Sequence, residues 1–355
     1  MRIFLTHIIP SAAYAAHLRE GVPNRHSPLG INAADSPQPG KSRRAQTGED
    51  YERNTRCPRP IRLGAHALYI PDIRHTPNRF YPLLCILIFT FSKTIQMFID
   101  THTHLFTEVF DTDRKEMMKR ASVLCSALVL PNIDEDSITP MLHMADTWPE
   151  LCFPTLGLHP SSVFDDYQEV LKRMENLLET RTWYGIGETG LDLYWDKSTL
   201  PQQQEALRIQ CQWAKSMDLP IILHSRDAND ETLEIIQQEQ DGRLKGVFHC
   251  FSGDEAQAKA IYDLGFCIGI GGVVTYPKTH LRELLRTLGP ERVVLETDSP
   301  YLPPVPYRGK RNESAYITLV AEACALAWGM QIKDVGRITS KTARKLFNLP
   351  ETQPA

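Results

Sequence analysis

The chain runs to 355 residues, 42% of them apolar, with 39 basic and 43 acidic side chains and a net charge of −4. That apolar share is ordinary for a soluble protein, so material for a sizeable core is not short. The charge is uneven: residues 1–96 carry 13 basic and 6 acidic side chains, and the other 259 carry 26 and 37. The acidic body excludes a long non-specific nucleic-acid footprint while leaving room for one local basic site.

Residues 1–96 hold ten prolines. Stretches such as Pro-Asn-Arg-His-Ser-Pro-Leu-Gly lack a sustained helical or strand period, so the segment reads as a mostly disordered extension. Its apolar run from Leu83 to Phe91 is too short to span a bilayer and too far from Met1 for a secretory leader. The arginine excess suits a mitochondrial-type presequence, but prolines break it and no clear amphipathic face emerges. The plainer account is that Met97 is the biological start and that 1–96 is an over-extended frame, with one folded domain over 97–355. Eight cysteines show no Cys-x-x-Cys pairing and sit mostly among apolar neighbours, the pattern of reduced thiols in a cytoplasmic protein.

From Met97 onward, apolar runs of strand length alternate with amphipathic stretches. The first strand, 97–101, ends at His102 and His104. A helix over 113–120 precedes a strand at 122–130, and a helix over 134–147 precedes one at 152–157. His159 follows, in Gly-Leu-His-Pro. A helix at 165–180 leads to strand 183–187 and Glu188, and a helix at 201–217 leads to strand 220–224, which His224 ends. After a helix at 228–239 comes strand 246–250, where His249 follows Gly-Val-Phe. Helices 254–264 and 279–288 flank strand 266–271, and strand 292–297 stops before Asp298. Helices 312–328 and 331–347 close the chain. Strand-then-helix repetition favours a parallel sheet, and eight repeats in this length favour an α/β fold of the (β/α)8 TIM-barrel type. An open doubly wound sheet is the alternative, but no Gly-x-Gly-x-x-Gly follows a first strand.

A side chain that ends a buried strand points out at the rim of the sheet, where ligands can gather. His102 and His104, spaced i, i+2, share one face of an extended segment. Imidazole and carboxylate together suit a divalent ion of the Zn, Mg or Mn kind, and the two oxygens of Glu188 can bridge two ions. His224 and His249 complete the shell of the second ion, and Asp298 holds one ion and accepts a proton from an attacking water. A pair of such ions lowers the pKa of water and steadies attacking and leaving oxygens. Cys250, beside His249, is turned by alternation to the opposite side. Asp192 reads as orienting a ligand or a loop. Glu296 reads as lying beside the metals or in a buried salt bridge.

In Met-Phe-Ile-Asp-Thr-His-Thr-His, Gly-Leu-His-Pro, Gly-Glu-Thr-Gly-Leu-Asp, Leu-His-Ser-Arg-Asp, His-Cys-Phe-Ser-Gly and Glu-Thr-Asp-Ser-Pro-Tyr-Leu, the chain closely resembles the TatD family of metal-dependent deoxyribonucleases. The likeness runs in order from Met97 to about Leu349, and residues 1–96 have no counterpart. It implies a barrel with a two-metal site for phosphodiester hydrolysis. On this numbering it implies His102, His104, Glu188 and Asp298 around one ion, and Glu188, His224 and His249 around the other.

A phosphodiester substrate needs cations at the mouth. Arg226 can fork onto a phosphate. Arg308, Lys310 and Arg311 sit in a loop on the same side as Asp298 and read as phosphate contacts, with a solvated basic turn as the plain alternative. His159 binds substrate or sits behind a ligand. Asn312 and Glu313 are expected to cap the next helix. Tyr194, Trp195, Tyr276 and Tyr301 lie near the rim, available for stacking or packing. The expected substrate is DNA, with RNA as a second candidate, cut from a strand end because a recessed mouth admits an end more easily than a duplex middle. No obligate protein partner is evident. The competing reading is an amidohydrolase-type enzyme acting on a small amide, lactone or ester.

Overall fold

A computed structural model describes residues 97–351 apart from 195 and 196; the expected extension over 1–96 and the stacking reading of Trp195 lie outside those residues. Eight short parallel strands follow one another: β1 (Phe98–Asp100), β2 (Cys125–Pro131), β3 (Cys152–Thr155), β4 (Ile186–Asp192), β5 (Ile221–Arg226), β6 (Gly246–Phe248), β7 (Cys267–Ile270) and β8 (Val293–Leu295). Helices α1 (Arg114–Leu124), α2 (Glu135–Thr147), α3 (Tyr167–Glu175), α4 (Leu200–Met217), α5 (Asn229–Glu239), α6 (Glu255–Asp263) and α7 (Leu281–Thr287) each separate two strands. Helices α8 (Ile317–Trp328) and α9 (Ile332–Phe347) follow the last strand.

The strands pair in sequence order as β1-β2-β3 and as β4-β5-β6-β7-β8. Two seams join these sheets. At one, Leu156 bridges Ile186 and Gly187 N donates to Leu156 O at 2.8 Å. At the other, Thr103 bridges Ser299 and Thr101 N donates to Leu295 O at 3.0 Å. The result is the expected (β/α)8 barrel.

Alternation sorts the strand side chains. Ile99, Val129, Phe153, Ile222, Val247, Cys267 and Val294 form one buried cluster, the interior of the barrel. Phe98, Leu128, Leu130, Ile221, Leu223, Phe248, Ile268 and Leu295 belong to a second cluster shared with the helices. Helix α9 supplies Ala343 and Phe347 to the inner cluster. Ser340 Oγ donates to Met97 O at 3.1 Å, so α9 plugs the end of the barrel where the strands begin.

Several boundaries differ from expectation, two of them instructively. Helix α1 runs on to Leu124, so β2 begins at Cys125 rather than 122: Met117, Met118 and Ala121 are buried on its inner face, and the helical turn carries through Ser-Val-Leu despite its strand-like composition. Strand β4 begins and ends later than 183–187, which places Glu188 inside the strand. Its glycines hid it. Gly190 sits at φ +142, and a Cβ there would collide with the carbonyl of His224, so the close β4–β5 contact requires glycine. Asn312 and Glu313 do not cap a helix. Asn312 Nδ2 donates to Thr297 O and Tyr301 O, both at 2.7 Å, Glu313 pairs with Arg120, and a 3₁₀ turn at Ser314–Tyr316 precedes α8. Among the described residues no single helix is long and apolar enough to cross a membrane.

Candidate metal centre

At the ends of the strands the inward register changes chemistry. Above Val294 come Glu296 and Asp298, above Val247 comes His249, and above Ile222 come His224 and Arg226. His224, His249 and Asp298 therefore continue the inner face of the barrel beyond its apolar layer, while His102 and His104 lie in the turn past β1 and Glu188 at a register shift in β4. His102, His104, His159, Glu188 and His249 are buried; His224 and Asp298 are half-buried.

His102 Nε2 lies 3.1 Å from His104 Nε2 and 3.8 Å from Asp298 Oδ1, and His104 Nε2 lies 3.5 Å from that same oxygen. Glu188 Oε2 stands 3.1 Å from His102 Nε2 and 3.6 Å from His104 Nε2. The other oxygen, Oε1, faces His224 Nδ1 at 2.9 Å and His249 Nε2 at 2.8 Å, and those two nitrogens are 3.3 Å apart. Ligand atoms bound about 2.0–2.1 Å from one tetrahedral ion lie roughly 3.3 Å from each other. Both sets approach that spacing, and each takes one oxygen of Glu188. Three groups of three donors are close enough to hold an ion, namely His102, Glu188 and His249, then His102, His104 and Asp298, then His159, Glu188 and His224, and mixed imidazole and carboxylate donors suit a divalent cation.

The outer nitrogens test that fit. His104 Nδ1 is 3.0 Å from the Pro131 carbonyl, which only accepts, so Nδ1 carries the proton and Nε2 offers its lone pair. His224 Nε2 meets Asp192 Oδ2 at 3.1 Å, which leaves Nδ1 to face inward. This is the carboxylate–histidine support expected around a ligated metal, and it gives Asp192 the orienting role read from the sequence. His249 Nδ1 faces Glu296 Oε1 at 3.8 Å. His159 differs: its Nδ1 accepts from Ser161 N at 3.1 Å, so its neutral ring holds the proton on Nε2, 3.4 Å from Glu188 Oε1. That makes His159 a donor into the mouth, unlike its neighbours.

Packing so many ionisable groups together sets their charges. Burial alone would raise Glu188, but His249, His102 and His159 hold it well below the usual carboxylate range. Burial would lower His249, yet the Glu188 charge holds it up at about 9. Burial, with help from His249, pushes His102 down to about 4. Burial raises Glu296 to about 8. A neutral His102 is ready to coordinate, whereas His249 must first release a proton.

Sequence reasoning missed Asp100. Its Oδ1 accepts from Thr297 N at 2.9 Å and from His102 N at 3.4 Å, and its Oδ2 accepts from Thr297 Oγ at 2.6 Å. It thus ties the turn bearing the two histidines to the segment bearing Asp298; its place two residues before His102 was the only signal. Asp298 itself holds a left-handed φ of 57°, an uncommon state secured by Asp298 N donating to His102 O at 2.9 Å. Cys250 joins none of the three-donor groups among the described residues; its backbone N–H is bonded to Glu296 Oε1.

Around the mouth, the Arg226 guanidinium lies 3.8 Å over the Tyr194 ring and that of Arg308 lies 4.4 Å over Tyr276. Arg311 is placed differently from the phosphate contact expected of it: both its terminal nitrogens reach Asp113 at 2.7 Å, so its charge is matched within the protein. Tyr301 packs edge-on toward His104, with ring centres 6.1 Å apart.

A family model described as TatD related DNase matches residues 99–348. The chain is 34% identical to an uncharacterized metal-dependent hydrolase, YabD of Bacillus subtilis, over 255 residues that make up 71% of this chain and 100% of that protein. It is 32% identical to a protein of a Rahnella species named a 3'-5' ssDNA/RNA exonuclease TatD, across 69% of this chain and 96% of the relative. Among solved structures, YjjV, a TatD homolog from Escherichia coli, superposes with a TM-score of 0.68 at 30% identity, over 72% of this chain and all of the other.

Proposed function

The chain belongs to the family of TatD-related DNases and is a metal-dependent hydrolase, and on that premise we propose that it cleaves phosphodiester bonds of single-stranded DNA or RNA from an end, using two divalent ions. The observation that carries this reading is the division of Glu188: one oxygen faces His102 and His104, the other His224 and His249. A carboxylate that turns one oxygen to each of two donor sets suits a bridge between two ions. The Rahnella relative, named for activity on single strands, supports the substrate class.

Two such ions would supply Lewis acidity at the phosphoryl oxygen and a water acidic enough to attack near neutral pH. The protein groups do the rest. Asp298, kept anionic by His104, His102 and His249 despite its burial, accepts the proton of the attacking water. His159 Nε2–H donates to a non-bridging phosphate oxygen. Arg226 and Arg308, each laid on a tyrosine ring, fork onto phosphates from two sides of the mouth. Six free thiols among the described cysteines, five of them buried, support a cytoplasmic home.

The test is incubation of the protein, loaded in turn with Zn, Mn or Mg ions, with end-labelled single-stranded DNA, RNA and a panel of lactones and amides. Stepwise release of nucleotides is the expected result. Turnover of a lactone or amide with no nucleotide release under any ion would replace this reading with the small-molecule hydrolase.

A further inference from the structure

The body of the protein is acidic, with 26 basic and 37 acidic side chains beyond residue 96, yet two neighbouring loops at the metal-centre end hold no acidic residue. They are residues 271–280, after β7, and 299–311, after β8. Lys278, Arg308 and Lys310 stand exposed in them, and among the described residues no carboxylate pairs with any of the three. The other cations nearby are engaged within the fold. Arg311 is bound to Asp113, and Arg282 Nη1 donates to the Val274 and Tyr276 carbonyls at 2.8 and 2.9 Å.

The two loops are fastened into one ledge. Val305 N donates to Thr275 Oγ at 2.8 Å, Tyr276 Oη donates to Pro303 O at 3.2 Å, and the Arg308 guanidinium lies 4.4 Å over the Tyr276 ring. Within the second loop, Lys310 N donates to Tyr307 O at 3.0 Å, and the Tyr307 ring stacks on that of Tyr316 with centres 4.1 Å apart. That loop starts at Asp298, whose carbonyl accepts from Tyr301 N at 2.7 Å. The ledge is therefore built onto the segment that delivers a metal ligand. Three cations without counter-charges on one ledge repel each other, and an arriving polyanion relieves that repulsion.

We propose that this ledge carries the substrate strand beyond the reacting bond, with Lys278, Arg308 and Lys310 each neutralising a phosphate. Contacts to phosphates read no sequence, so the ledge adds affinity for a longer strand of any sequence. This inference rests on the nucleic-acid reading above and specifies the side of the mouth along which the strand lies.

The experiment measures binding of the metal-loaded protein to labelled, phosphorothioate-linked single strands of increasing length, by fluorescence anisotropy at several salt concentrations. Each phosphate contact on a single strand contributes about 0.7 to the slope of log affinity against log salt, so the triple variant Lys278→Gln, Arg308→Gln, Lys310→Gln is expected to lose about 2 from that slope. Between about 50 and 200 mM salt the wild type should then lose about 20-fold more affinity than the variant. Affinity should climb with strand length in the wild type and level off early in the variant. Lys333→Gln with Lys341→Gln, on α9 at the other end of the barrel, should keep the wild-type slope. All five side chains are exposed, so unchanged melting temperatures are expected, which separates lost binding from lost folding. Equal slopes in wild type and triple variant, or an equal loss in the α9 variant, overturns the ledge, as does a wild type that binds no strand. Cleavage of ordinary strands is scored separately: a protein that binds through the ledge but cuts nothing keeps the ledge and loses the proposed activity, and one that cuts strands while the triple variant keeps its slope does the reverse.

Discussion

Inside one barrel, two layers are built by the same strands. The lower layer is Ile99, Val129, Phe153, Ile222, Val247 and Val294, closed from below by Phe347 of α9. The upper layer is His102, His104, Glu188, His224, His249 and Asp298. One step along the strands turns a packed apolar core into a cluster of ionisable groups whose charges strain against burial. The lower layer is close-packed hydrocarbon that stabilises the fold; the upper layer costs folding energy and is kept for chemistry. The contrast teaches that position along a strand, rather than strand identity, divides stability from function in this molecule.

Breaking the upper layer should have the largest effect. Asp298→Ala is expected to lower hydrolysis by about 10²- to 10⁴-fold, since a positioned proton acceptor is lost, while the metal-free protein melts no lower than wild type. Steady-state rates and calorimetry check both halves. A large drop in melting temperature would place Asp298 in the stabilising layer instead.

Breaking the lower layer should do the opposite. Phe347→Ala is expected to cost about 3–5 kcal/mol of stability through the cavity it leaves, read by urea unfolding. Activity per folded molecule should hold at a temperature where the variant remains native. If activity collapsed with the fold intact, the two layers would not be separable.

A smaller effect sharpens the boundary between them. In the metal-free protein His249 holds its proton up to about 9, so below that pH an incoming ion must displace it. Metal affinity should rise about tenfold per pH unit between 7 and 9, or about 1.4 kcal/mol per unit, and level off above. It should fall as the medium turns acid and further imidazoles gain protons. Titration calorimetry in buffers of different ionisation enthalpy counts the released proton; a flat profile would remove His249 from the ligands.

Much of this could be read from the sequence, because several apolar runs are followed at once by a residue that has no business in a core. His102, His104, His224, His249 and Asp298 follow apolar runs, and alternation from Ile222, Val247 and Val294 turns the last three to the mouth. Glu188 was legible as a candidate ligand, although the bounds of its strand were not, since two glycines and a carboxylate do not look like a strand; only contact with the backbone of His224 explains Gly190. Arg311 was misread for a related reason. Its partner Asp113 lies 198 residues away, and no local pattern announces a pair closed by tertiary folding. Asp100 and the link from Asp192 to His224 were hidden likewise, because support for a ligand is defined by direction in space and leaves little trace in spacing.

The account turns on Glu188 serving two ions. Crystals grown with Mn²⁺ or Zn²⁺ and measured at the metal's absorption edge answer this directly. Two anomalous peaks per chain, about 3.5–4 Å apart with Glu188 between them, are the expected result. A single peak on either side of Glu188, or ions bound away from these six side chains, would contradict it.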